Sequence, residues 1–201
     1  MDVVIIKYNA GNIESVSNAL LRLGITAEIT ADKARIMAAD RVIFPGVGEA
    51  ANTMAYLKAH GLDRVITSLT QPVLGICLGL QLMCSFSEEG STRCLGIFDE
   101  VVKRFVPAPG REFIDKVPHM GWNAIYNQKG ELFAPDMENQ YVYFVHSYYA
   151  EAGEHTSALC DYMKPFSAAL QKGNFYATQF HPEKSGNVGS AMLENFIRLK
   201  Q

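Results

Sequence analysis

The sequence predicts an α/β protein: an open, mainly parallel twisted sheet with helices on both faces and antiparallel additions in the C-terminal half. Three observations predict it. Short apolar runs at 3–6 (VVII), 41–44 (RVIF) and 72–76 (PVLGI) alternate with helix-period segments, the pattern of parallel strands covered on both faces. From about Glu100 onward, strand-like pieces follow one another with little helix between them, which indicates antiparallel pairing. The chain has 201 residues, 48% of them hydrophobic and 19% charged, with no internal repeat and no linker-like stretch, which suits one domain over 1–201 with a full core.

The elements follow in order. Residues 3–6 are the first strand, and the turn-like Asn9-Ala10-Gly11-Asn12 leads into apolar positions Ile13, Val16, Ala19, Leu20 and Leu23 at helical spacing. Asn12 is placed to cap this helix and Gly24 to close it, after which strand character returns over Ile25–Thr30 and completes a βαβ unit. A strand at 41–44, a loop Pro45-Gly46-Val47-Gly48, helical material over 49–69 broken near Gly61, and a strand at 72–76 repeat the pattern. Further strands are expected at Val101–Val106, Trp122–Tyr126, Gln140–Val145, Ala168–Gln171 and Phe175–Phe180, all as additions to the sheet. The closing helix, Val188–Leu199, carries Val188, Met192, Leu193, Phe196 and Leu199 on one face.

Composition excludes several function classes. A net charge of −3 gives no whole-protein positive field for nucleic acid or an anionic membrane surface. No apolar run reaches the length of a membrane helix and no signal-peptide layout opens the chain, so a cytoplasmic location is expected. Cys77, Cys84, Cys94 and Cys160 show neither zinc-ligand spacing nor a disulfide framework, so no metal is expected and at least one cysteine is free for chemistry.

The chemistry concentrates in two segments. Gly75-Ile76-Cys77-Leu78-Gly79 stands where a buried strand ends and a helix begins, a nucleophile-elbow pattern with Cys in the nucleophile position. The flanking glycines remove side chains that a sharp strand-to-helix turn would crowd, and the helix N-terminus favours a thiolate. Gln179-Phe180-His181-Pro182-Glu183 follows the last strand; Pro182 biases His181 toward an extended backbone, which would set His181 and Glu183 on one side. A carboxylate beside an imidazole fixes its tautomer and stabilises the imidazolium. Each segment alone also fits ordinary packing or a surface turn; together they are complementary halves of one nucleophilic site at the carboxyl ends of parallel strands. The 45–48 loop could add an oxyanion donor opposite the Leu78 N–H.

These residues resemble the class I, triad-type glutamine amidotransferases, which carry G-x-C-x-G and H-P-E in this order. The likeness extends along nearly the whole chain through Gly11-Asn12, PGVG at 45–48, GICLGLQL at 75–82, PHMGWN at 118–123, YFVHSYY at 143–149 and QFHPEKSG at 179–186. It is closest to the branch serving histidine biosynthesis. Lys7-Tyr8-Asn9-Ala10 and Leu80 depart from the family's usual residues, and neither touches the triad. The resemblance implies Cys77 as nucleophile, His181 as general base and acid, and Glu183 as its orienting carboxylate. It further implies an oxyanion hole from the Val47 and Leu78 N–H groups, and L-glutamine held by Gly46, Gln81, Ser147 and Tyr148. A surface containing Asn12, Trp122, Tyr143 and Lys184 would face a (β/α)8-barrel cyclase subunit in a heterodimer, with no cofactor required. A subunit of another amidotransferase, or a cysteine hydrolase acting on peptides or esters, uses similar parts.

Overall fold

In the computed structural model, which describes residues 1–8 and 12–199, the first apolar run is strand β1 (Val3–Ile6), followed by helix α1 (Ile13–Arg22) and β2 (Glu28–Thr30). The turn residues Asn9, Ala10 and Gly11 lie outside the described residues. Next come α2 (Lys33–Ala38), β3 (Arg41–Gly46), α3 (Ala50–His60), α4 (Leu62–Ser68), β4 (Val73–Cys77) and α5 (Leu78–Met83). Two very short strands, β5 (Phe86–Ser87) and β6 (Thr92–Arg93), precede β7 (Val101–Arg104), β8 (His119–Tyr126), β9 (Tyr141–His146) and β10 (Tyr148–Ala150). The chain ends with β11 (Thr156–Tyr162), β12 (Lys164–Lys172), β13 (Phe175–Thr178) and α6 (Gly186–Arg198).

Nine strands form one sheet in the order β2-β1-β3-β4-β13-β12-β11-β8-β9. The β2-to-β13 portion is parallel and the remainder antiparallel; β13, expected among the antiparallel additions, is antiparallel to β12 but parallel to β4, and so closes the parallel portion. Alternation along the buried strands divides the core. Val4 and Ile6 of β1 pack with Phe44, Leu57 and Leu80 on one face, while Val3 and Ile5 pack with Val16, Leu20, Leu193 and Phe196 on the other. Phe44, Leu20 and Phe196 are fully buried, each contributing roughly 2–3 kcal/mol of transfer free energy.

Helix boundaries follow their caps. Gly24 (φ 78°) closes α1 as expected: its N–H donates to Leu21 O at 2.9 Å and the Ile25 N–H to Leu20 O at 3.0 Å, a paired left-handed closure. Gly61 (φ 64°) separates α3 from α4, the break predicted there. Asn12 does not cap α1; it is left-handed and its side chain is directed elsewhere.

Two expectations are corrected. Residues 101–106 do not join the main sheet: β7 lies in a separate four-stranded sheet of order β10-β7-β5-β6. The strand expected from Trp122 begins at His119, and β11 and α2 have no counterpart in the sequence reading. The small sheet caps the antiparallel part through an aromatic cluster containing Phe105, Phe144, Tyr149, Phe166 and Phe180. No helix among the described residues is long and apolar enough to cross a membrane.

Candidate active site

Parallel register builds the site. Gly46 of β3 lies opposite Cys77 of β4, and Thr178 of β13 lies opposite Ile76. Three adjacent strands therefore end at one edge of the sheet, carrying the 45–48 loop, Cys77 and the segment leading to His181.

The elbow is as tight as its glycines imply. A Cβ at Gly79 would stand 2.1 Å from Phe44 O, and one at Gly75 would stand 2.8 Å from Met83 Sδ. A Cβ at Gly46 would meet Gly79 N and Leu78 Cβ at 2.7 Å, so Gly46 is required by the packing of the elbow against β3. Cys77 itself has φ 54° and ψ −107°, a conformation that non-glycine residues rarely adopt and that recurs at functional turns. Its side chain sits at the start of α5, 7% exposed.

His181 Nδ1 lies 2.7 Å from Glu183 Oε1, both groups buried. The route is not the extended one expected: only His181 is extended, and residues 182–184 form a single 3-10 turn that swings Glu183 back beneath the ring. Ser185 locks this turn, donating from Oγ to His181 O at 2.6 Å and accepting from the Tyr143 N–H at 3.0 Å. Asn12 Nδ2 donates to Glu183 Oε1, which places a residue expected on the partner face against the His181–Glu183 pair.

Among the described residues, His181 Nε2 is buried with no completed hydrogen bond. Burial opposes the imidazolium, but the Cys77 sulfur and then the Glu183 carboxylate outweigh it and raise His181 from 6.5 to about 10. The site therefore favours a protonated imidazole beside sulfur, a proton held ready for a leaving group. Gln179 Nε2 donates to the Cys77 sulfur at 3.8 Å. The Tyr8 hydroxyl donates to Pro45 O at the base of the 45–48 loop, and burial, followed by the nearby Cys77, pushes it well above its ordinary value.

A cavity of about 370 Å³ opens over Cys77 and His181, lined by Val47, Leu78, Gln81, Ser147 and Tyr148. The structure thus gathers Cys77, His181 and Glu183, both expected oxyanion residues and three of the four expected substrate residues; Gly46 does not line the cavity and packs against the elbow instead. Gln81 is buried, and its Nε2 donates to Tyr148 O at 2.9 Å and Gln179 Oε1 at 3.1 Å. Trp122 and Tyr143 are cross-strand neighbours on the outer face of β8 and β9, ring centroids 6.1 Å apart, and Lys184 is exposed nearby in sequence to His181. Glu89 and His146 also line the cavity and escaped the sequence reading. Glu89 is held by the Ala50 N–H at 2.8 Å; a carboxylate in an irregular segment gives no pattern to find it by. His146 lay inside the YFVHSYY stretch without an assigned role. No group of three or more potential metal-ligating side chains occurs among the described residues.

The model of the class-I glutamine amidotransferase family matches residues 4–199. The imidazole glycerol phosphate synthase subunit HisH of Bacteroides fragilis strain YCH46 is 61% identical over 99% of this chain and 100% of its own length. HisH 2 of Legionella pneumophila strain Philadelphia 1 is 44% identical over 98% of each chain. Among solved structures, PurLQS from Thermotoga maritima superposes with a TM-score of 0.68 at 13% identity, covering 98% of this chain and 97% of that one, a likeness of fold. A glutamine amidotransferase from the same organism gives 0.63 at 16% identity over 98% of this chain and 82% of its own. A family match across the sheet, the 75–79 and 179–183 segments and the closing helix, with full-length relatives at this identity, leaves one placement: the chain belongs to the class-I glutamine amidotransferase family, in its HisH branch.

Proposed function

We propose that the chain is the glutaminase subunit of an imidazole glycerol phosphate synthase, hydrolysing the side-chain amide of L-glutamine through Cys77, His181 and Glu183. The observation carrying this reading is the buried His181–Glu183 pair, 2.7 Å apart, with its raised imidazole beside the elbow sulfur at the floor of the cavity.

Each step uses a group that lines the cavity or bonds to one that does. The Cys77 thiolate attacks the amide carbon and the C=O becomes an oxyanion, placed to accept from the Val47 and Leu78 N–H groups. As the tetrahedral centre collapses, the C–N bond breaks and the His181 imidazolium gives its proton to the departing nitrogen, so that ammonia leaves and a glutamyl thioester remains. The now neutral imidazole takes a proton from water as the hydroxyl adds to the thioester; the C–S bond then breaks, glutamate departs with its new carboxyl proton passing to solvent, and the thiolate is left beside the imidazolium, as at the start. Glu183 holds Nδ1 throughout, keeping Nε2 as the ring atom that exchanges protons. Glu89, an acidic group on the cavity wall, supports binding of the substrate's ammonium.

Free ammonia in neutral water is largely protonated and no nucleophile, so the product has to pass directly to an acceptor subunit. The proposed partner is a (β/α)8-barrel cyclase docked on the face bearing Trp122, Tyr143 and Lys184. The test is Cys77→Ala in the complex with the cyclase: glutamine-dependent synthesis should vanish while ammonia-dependent synthesis persists. Retained glutamine-dependent synthesis would remove Cys77 as nucleophile. Glutamine assayed against peptide and ester substrates separates this reading from a general cysteine hydrolase.

A further inference from the structure

Two buried histidines take no part in the chemistry above. His146, at the end of β9, lines the cavity, and its Nδ1 lies 2.7 Å from Tyr148 O. A carbonyl only accepts, so Nδ1 carries the proton. Burial pushes His146 down to about 3, with His119 and His181 adding to the shift and the Tyr148 carbonyl opposing it, so the ring is neutral and its Nε2 is a lone pair. His119 Nδ1 stands 3.1 Å from that Nε2 and is left as the donor. His119 is itself neutral, pushed down to about 4 by burial. It is gripped between the rings of Phe144 (centroids 4.8 Å, 23° apart) and Tyr162 (4.0 Å, 14°). The pair thus forms a one-directional chain, His119 to His146 to Tyr148 O.

The Tyr148 carbonyl also accepts from Gln81 Nε2 at 2.9 Å, so both of its lone pairs are occupied. The Phe105 N–H donates to Ser147 O at 3.0 Å, which turns that carbonyl toward the small sheet. In the same antiparallel ladder, Tyr148 opposite Arg104 is a non-hydrogen-bonded pair, so its N–H points away from β7. What the 147–148 backbone retains for a ligand is the Tyr148 N–H.

We infer that His146, held by His119, is a positioning residue that masks the Tyr148 carbonyl and leaves the 147–148 backbone on this wall with a donor and no free acceptor, selecting substrates with a free α-carboxylate there. The inference rests on the glutaminase reading, which makes glutamine the occupant. With the carbonyl unmasked, the wall would repel a carboxylate and accept the N–H of a carboxamide.

The test compares kcat/KM for L-glutamine and for its α-carboxamide, L-glutaminamide, in the complex with the cyclase. Wild type should prefer glutamine; His146→Leu should cut that preference about tenfold or more, chiefly through a higher KM for glutamine. His146→Asn, whose Nδ2–H can reach the Tyr148 carbonyl, should restore most of it, which a merely structural role for the ring would not predict. His119→Phe keeps the stack and removes the donor, freeing His146 to change tautomer, and should cut the preference about threefold. An unchanged preference in either His146→Leu or His119→Phe overturns the inference; if His146→Leu does not fold, His119→Phe alone decides. Wild type turning over glutamine with unmoved variants defeats this inference only, whereas a wild type inert toward glutamine defeats the glutaminase reading and this one with it.

Discussion

His181 decides where charge resides in the site. Its pKa of about 10 in the folded chain lies above the ordinary 6.5 expected when unfolded. The stabilisation it provides is therefore complete below pH 6.5 and lost as pH rises through about 10. Glu183→Gln keeps an acceptor for Nδ1–H and removes the carboxylate charge, so the His181 pKa should fall, as read by imidazole NMR titration. The variant should be less stable in urea by on the order of 2 kcal/mol near pH 6, a gap that narrows toward pH 10. A gap that widened with pH would mean the carboxylate is not what holds the imidazolium. Glutamine hydrolysis by Glu183→Gln should fall by about 10- to 100-fold, because the ring loses its orienting charge.

At the scale of the element, the elbow is the feature least tolerant of change. Gly79 packs α5 against the Phe44 carbonyl, a backbone atom that cannot rotate away from an added methyl group. Gly79→Ala should cost about 3 kcal/mol or more, measured as a shift of the urea midpoint at unchanged slope. Cys77 occupies a strained conformation, so Cys77→Gly should be about 1 kcal/mol more stable than Cys77→Ala, both inactive with glutamine. Equal stabilities would locate no strain at the nucleophile. The elements legible in the sequence are those buried on both faces. β1, β3 and β4 read as apolar runs because neither face meets water, and Gly24 and Gly61 mark helix ends because the chain turns left-handed there. α2 buries only Ile36 and so shows no periodic stripe. β5 and β6 are two residues each, too short for alternation to register, and the pairing of β7 with β10 joins residues far apart in sequence. The clustering of Cys77, His181 and Glu183 is legible for the opposite reason: each of its parts carries local turn chemistry. Glu89 and His146 come to the cavity through tertiary packing, which no local pattern records.

Across the whole molecule, the asymmetry of the nine-stranded sheet sets how the site meets a partner. One end is a doubly covered parallel sheet; the other ends in the β8–β9 pair, whose outer face bears Met120, Trp122, Tyr141 and Tyr143, with Met120 63%, Trp122 54% and Tyr141 60% exposed. Large apolar side chains grouped on one face of a folded chain mark a docking surface. This one is coupled to His181 and Ser185 by backbone: the His181 N–H donates to Tyr143 O at 3.0 Å, and the Tyr143 N–H to Ser185 Oγ. Trp122→Ala should weaken association with the cyclase by about 10- to 100-fold, the scale of a central aromatic anchor, as measured by calorimetric titration. The isolated chain's urea midpoint should move little, because Trp122 gives the fold only half of its surface. Unchanged affinity would move the docking face elsewhere. Weakened affinity with glutamine hydrolysis preserved at saturating cyclase would make Trp122 a docking residue rather than part of the catalytic site.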